Sequence, residues 1–79
     1  LFDRLRAWRR GVAAERGVPA YVILHDSALR TLSAIRPTRP ETMARIRGLG
    51  ERKLADFGPA LTTIIADYCR KNGLAADIE

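Results

Sequence analysis

The stretch Ile46-Arg47-Gly48-Leu49-Gly50-Glu51-Arg52-Lys53 holds the residue types most able to bind an anion. Two glycines at a helix start let backbone amides approach a phosphate closely, and the helix N-terminus adds positive potential at the same place. Arg47, Arg52 and Lys53 supply formal charge around that turn. A Gly-rich turn between helices is also a common structural device, so both readings stay open on these residues alone. The segment Arg36-Pro37-Thr38-Arg39-Pro40 adds Arg36 and Arg39 on a proline-stiffened, exposed turn that has little entropy to lose on binding. Tyr21 offers an aromatic face on which a base could stack, provided its ring reaches the surface. Its position in an apolar run makes burial the equal alternative.

Catalytic constellations are not found in the sequence. His25-Asp26 has neither a second histidine nor an acidic cluster to complete a metal or acid/base site, and Asp26 reads more simply as a helix cap. Cys69 has no histidine partner in its helix and falls on an apolar stripe, which suits an inert core thiol. Neither Gly48-Leu49-Gly50 nor any other glycine pair has the length and lysine placement of a nucleotide-binding loop. The expectation is a non-catalytic domain with no metal and no cofactor of its own.

The elements that must carry these residues are helical. Gly17 to Leu32, GVPAYVILHDSALRTL, is the centre of the chain, with an apolar run from Val18 to Leu24 followed by a helix start at Ser27. A lone strand here would leave its amides unsatisfied, since no second strand-like segment can pair with it. The run therefore reads as a turn or short helical coil over 17–26. Leu1, Leu5, Trp8 and Val12 recur at helical spacing and predict helix one over 1–16, stopped by Gly17 and kept from resuming by Pro19. The arginines of helix one fall mostly outside that stripe and suit either a solvated face or phosphate contact. Asp26 is expected to cap helix two, 27–35, which must end before Pro37.

A short helix three over 41–47, with Thr38 as its hydroxyl cap, leads into the Gly48-Leu49-Gly50 turn. Helix four, 51–57, is expected to break at Gly58, and Pro59 then opens helix five, 59–72, which Gly73 ends. The tail 74–79 reads as weakly tethered. The fold class is all-α, a compact bundle of about five short helices in a single domain. Its predicted core is Leu5, Trp8, Val12, Val22, Leu29, Leu32, Ile46, Leu54, Phe57, Leu61, Ile64 and Ile65.

Seventy-nine residues support one small core with a net stability of roughly 4–8 kcal/mol. The chain begins without Met and opens mid-pattern, as a domain cut from a longer protein would. No apolar stretch approaches the length of a membrane span. One cysteine cannot form an internal disulfide, which favours a reduced, intracellular setting. The net charge of +5 resides entirely in residues 1–40, which carry eight arginines against three acids; residues 41–79 are balanced. A basic, arginine-rich small domain of this kind fits a polyanionic partner.

The Gly48-Leu49-Gly50 turn resembles the hairpin of helix-hairpin-helix DNA-binding motifs. On a larger scale LRAWRR, GVPAYVILHDSAL and IRGLGERKLADFG, in this order and at these distances, resemble the HRDC domain, the helicase and RNase D C-terminal module of RecQ-family DNA helicases and RNase D. The resemblance covers nearly the whole chain. It is carried most specifically by Val18-Pro19, Tyr21, Asp26, Leu29, Ile46, Gly48, Gly50, Lys53 and Gly58. Ala20 stands where the family often has a second proline, and Arg39 where it often has a capping hydroxyl.

The resemblance implies a compact five-helix accessory domain, monomeric in isolation, from a cytoplasmic, nucleoid-associated bacterial helicase acting in repair and recombination. It implies weak binding of single-stranded or branched DNA, with Tyr21 and the basic residues near Lys53 in places where family members touch DNA. With Arg36, Arg39, Arg47 and Arg52 these residues make the candidate surface. Two other functions remain open from the sequence: an interdomain docking unit that works on the helicase core without touching DNA, and the RNA-facing accessory domain of an RNase D-like exonuclease.

Overall fold

The apolar positions of this chain recur at helical spacing from end to end, and the computed structural model, which describes residues 1–78, answers with helices and no strand among the described residues. In order these are α1 (Phe2–Arg16), α2 (Ala20–Ile23), α3 (Asp26–Ile35), α4 (Pro40–Met43) and α5 (Glu51–Asn72). The molecule measures 35 × 24 × 19 Å. At 1.5 Å per residue, α5 alone accounts for nearly all of the long axis.

α1 ends as its sequence dictates. Gly17 adopts a left-handed conformation (φ 64°), its amide donates to the Ala14 carbonyl, and the Val18 amide reaches back to Ala13 at 3.1 Å. This pair of bonds satisfies carbonyls that the helix end would otherwise strand. Pro19 then sets the single turn of α2, in which Ile23, followed by Leu24, points inward at 2% and 0% exposure. One turn cannot bury all its side chains. Tyr21 and Val22 are left outside, at 61% and 44% exposure. Val22 is therefore not the core residue its place in the apolar run predicted.

The expected break at Gly58 is absent. α5 runs unbroken for 22 residues with Pro59 inside it. A residue before proline is normally pushed out of helical geometry by a clash involving its Cβ, and Gly58 has no Cβ. Pro59 still removes one backbone bond, but Ala55, whose carbonyl loses it, is exposed to solvent. Against that single loss stands a continuous stripe of Phe57, Leu61, Ile65 and Cys69, none more than 6% exposed, which only an uninterrupted helix can align.

Three further expectations are corrected around the ends of α3 and α4. Asp26 does not cap α3: it is the first helical residue, and its carboxylate turns to Arg9 at 2.8 Å. The third helix is shorter than 41–47, since α4 spans only Pro40–Met43 before the chain passes through turns to Leu49. Thr38 does not cap it either, because its hydroxyl donates to Asp77 at 2.6 Å.

That bond belongs to a docked tail, where a weak tether was expected. The amides of Asp77 and Ile78 donate to the carbonyls of Arg36 and Ile35, both at 2.8 Å, and so cover the open end of α3. Asp77 also accepts from the amides of Thr38 and Arg39 ahead of α4. Residue 79, the last of the predicted tail, lies outside the described residues.

The core gathers Leu5, Ile23, Leu24, Leu29, Leu32, Met43, Ile46, Leu49, Leu61 and Ile65, all within 4% of full burial. Trp8, Val12, Leu54 and Ile64 pack on it while staying partly exposed. The Trp8 ring meets Phe57 edge-on, with centroids 5.5 Å apart, and joins α1 to α5.

Candidate nucleic-acid interface

Ile46 and Leu49 are buried on either side of the glycine turn, which forces Arg47 and Gly48 outward between them. Gly48 has φ 91°, a region that side chains rarely adopt, and a Cβ there would lie 3.4 Å from the Ala28 methyl. The turn is thus pressed against α3, and Arg47 stands beside His25, Ser27 and Thr31 at the edge of a shallow groove. Gly50 precedes α5. The first bond inside that helix runs from the Leu54 amide to the Gly50 carbonyl, so the amides of Glu51, Arg52 and Lys53 have no acceptor within the helix.

Arg52 and Lys53 line a second shallow groove of about 260 Å³, walled by Val18, Val22 and Ile23 on one side and by Arg16, Asp56 and Phe57 on the other. α2 stands between the two grooves. The exposed Tyr21 ring lies 6.1 Å from the His25 ring at a tilt of 32°, which carries the aromatic surface from Val22 toward Arg47. Val22 of α2 thus shares one groove with Arg52 and Lys53, while His25, against which the Tyr21 ring lies, shares the other with Arg47.

Arg36 and Arg39 are not brought to either groove. The Arg36 Nε donates to the Ala75 carbonyl at 2.6 Å, and Arg39 Nε lies 3.8 Å from the Asp77 carboxylate. Both serve the tail dock. Pro37 between them is fully buried, so only Arg39 of the Arg36–Pro40 segment projects as an exposed cation.

Charge pairing separates the arginines further. Arg4 binds Asp67 at 2.9 Å, Arg9 binds Asp26, and Arg16 grips both oxygens of Asp56 at 2.7 and 2.9 Å. Arg9 is only 9% exposed, where a solvated or phosphate-binding side chain was an open reading, and it also donates to the Leu24 carbonyl at 2.9 Å. The hydrogen bond from Arg9 holds the Asp26 carboxyl below the usual range, helped by the charges of Arg9, Arg30 and Arg6. By contrast Arg47, Arg52 and Lys53 make neither ion pair nor hydrogen bond through their side chains among the described residues. Their charge remains available.

Sequence reasoning missed Arg16, Val22 and His25 as parts of this surface. Arg16 becomes a neighbour of Lys53 only when α1 packs on α5, a contact that no local pattern encodes. The exposure of Val22 follows from the brevity of α2. No group of three His, Cys, Asp or Glu residues that could hold a metal occurs among the described residues, and no helix there is long and apolar enough to cross a membrane.

The family model of the HRDC domain matches residues 1–65, which includes α2, the glycine turn and the start of α5. The chain belongs to the HRDC family. It is 39% identical over 70 residues to the ATP-dependent DNA helicase RecQ of Bacillus subtilis strain 168, an alignment covering 89% of this chain and 12% of that protein. Over 65 residues it is 34% identical to the ATP-dependent DNA helicase UvrD2 of Mycobacterium tuberculosis strain H37Rv, covering 82% and 9%. It is 32% identical over 68 residues to RecQ of Haemophilus influenzae, covering 86% and 11%. This HRDC domain thus spans about a tenth of the length of these relatives. Its docked tail, including Asp77, lies past the part that the family model matches.

Proposed function

We propose that this HRDC domain is the non-catalytic, DNA-contacting accessory module of a RecQ-type ATP-dependent DNA helicase in the bacterial cytoplasm. It binds single-stranded or branched DNA weakly, as a monomer and without a cofactor, and biases the parent enzyme's choice of substrate in repair and recombination. One observation carries this reading: Arg47, Arg52 and Lys53, without ion pairs among the described residues, line the two grooves to which Val22 and His25 contribute, and the exposed Tyr21 ring lies against His25. The similarity to RecQ proteins supports the parent enzyme.

Phosphates would meet the three cations and the free amides at the start of α5, while a base stacks on Tyr21. Such stacking tolerates any sequence because every base has a π-face. Arg36 and Arg39, engaged with the tail, contribute less. Amide shifts recorded during titration with a short oligothymidylate test the reading. Changes at 20–25 and 47–53 are expected; a response confined to other surfaces, or none, contradicts it.

An interdomain docking role has one observation in its favour. A largely apolar cavity of about 340 Å³ opens between α4 and α5, lined by Pro40, Met43, Leu54, Gly58 and Pro59 among others. It would receive an apolar side chain from a neighbouring domain, and such docking would respond little to salt. The two roles occupy different faces and are separable by the same titration.

A further inference from the structure

Among the described residues Asp56 is the one acidic side chain lining the groove of Arg52 and Lys53, and it is occupied by Arg16. We propose that Arg16 is a fourth phosphate-binding cation of this surface and that Asp56 restrains it, setting how tightly the domain holds nucleic acid. The inference rests on the groove being a nucleic-acid interface and adds to it a residue and a control.

The geometry has two parts. Arg16 Nη1 and Nη2 each donate to one Asp56 oxygen, at 2.7 and 2.9 Å. The guanidinium carbon lies 4.7 Å from the centroid of the Phe57 ring, which also packs in a T-shaped pair with Trp8, so the group rests on an aromatic ring that is itself held in place. A guanidinium has five N–H donors, of which Asp56 takes two. The Arg16 side chain is 46% exposed and makes hydrogen bonds only to Asp56 among the described residues, so it keeps donors for an incoming anion.

Phosphate and carboxylate suit the same planar fork of donors, so a DNA backbone in the groove competes with Asp56 for Arg16. Asp56 also opposes the phosphate directly, since Asp56 lies one turn beyond Arg52 on α5 and shares its face. Removing its charge should free Arg16 and relieve this repulsion together. An ion pair exposed to this extent contributes little to folding, so neutral variants keep the fold.

The test is a fluorescence anisotropy titration of the 79-residue chain with a labelled oligothymidylate at several salt concentrations. Asp56→Asn is expected to tighten binding severalfold at low salt and to steepen the salt dependence by about 0.7, the value for one added phosphate contact on a single strand. Adding Arg16→Gln to Asp56→Asn should cancel the added slope. Asp3→Asn, which changes net charge equally at a 97% exposed position away from the groove, should do neither. Unchanged or weaker binding by Asp56→Asn, or a gain that Asp3→Asn reproduces, overturns the inference. Lys53→Ala reports on the underlying interface: if it leaves affinity intact, the groove itself is not the binding surface, whatever Asp56→Asn does.

Discussion

Thr38 gives both its hydroxyl and its amide to Asp77, at 2.6 and 2.8 Å, and so ties the end of the chain to the turn between α3 and α4. Both Asp77 and Arg36, whose carbonyl accepts the Asp77 amide, have positive φ, at 55° and 53°. The tail carboxylate also accepts from the Arg39 amide just ahead of α4, whose N-cap residue makes no side-chain cap bond.

Asp77→Ala should therefore destabilise the domain by about 1–3 kcal/mol, as loss of an acceptor that leaves partly buried donors unpaired does. Acid should act through the same group. Burial raises the Asp77 carboxyl, but bonds from the Thr38 hydroxyl, the Thr38 and Arg39 amides and the Thr42 hydroxyl outweigh it and hold the group at about 2. A folded-state value below the unfolded one gives stability that is full above about pH 4 and is lost as pH falls toward 2. Urea melts at about pH 6 and about pH 3 should show this loss, and Asp77→Asn should reduce it. It should not vanish, because Arg4, Arg70 and Lys71 hold Asp67 at about 2 as well. A pH response unaltered by Asp77→Asn would show the tail to be undocked in solution.

Ile65→Ala removes a fully buried side chain from the middle of α5 and should cost about 2–5 kcal/mol, enough to threaten the fold of so small a domain. Val22→Ala, at a position 44% exposed, should stay within about 0.5 kcal/mol. Denaturant midpoints compare the two directly. Equal losses would place α2 in the wrong register.

Arg9→Met keeps the packing of the side-chain stem but leaves the buried Leu24 carbonyl without its donor. A loss of about 1–3 kcal/mol is expected, with hydrogen exchange accelerating first at residues 20–24, which Arg9 holds against α1. Uniform acceleration along the chain would show that Arg9 acts on the whole fold and not on the turn that presents Tyr21.

The helices were legible wherever a local signal and the packing agreed: Gly17 stops α1, Pro37 follows the end of α3, and Gly73 ends α5. Gly58-Pro59 misled because two local break signals lost to one long buried stripe. The candidate surface was half legible. The charges of Arg47, Arg52 and Lys53 are visible in the sequence, but which arginines are neutralised depends on contacts between distant residues, such as Arg16 with Asp56, 40 positions apart, and Arg36 with Ala75, 39 apart. Asp26 shows the same limit, since its partner Arg9 lies on another helix.

The most direct measurement of the proposed interface is the salt dependence of single-strand binding across a set of single substitutions. Arg47→Ala and Lys53→Ala should each weaken binding and flatten the slope by about 0.7, while Tyr21→Ala should lose ~1–3 kcal/mol with the slope unchanged. Arg10→Ala, on the exposed face of α1, and Arg39→Ala, at the tail dock, should change little. If Arg10→Ala flattens the slope as much as Lys53→Ala, or if no substitution around α2 and the glycine turn alters binding, DNA does not lie on this surface.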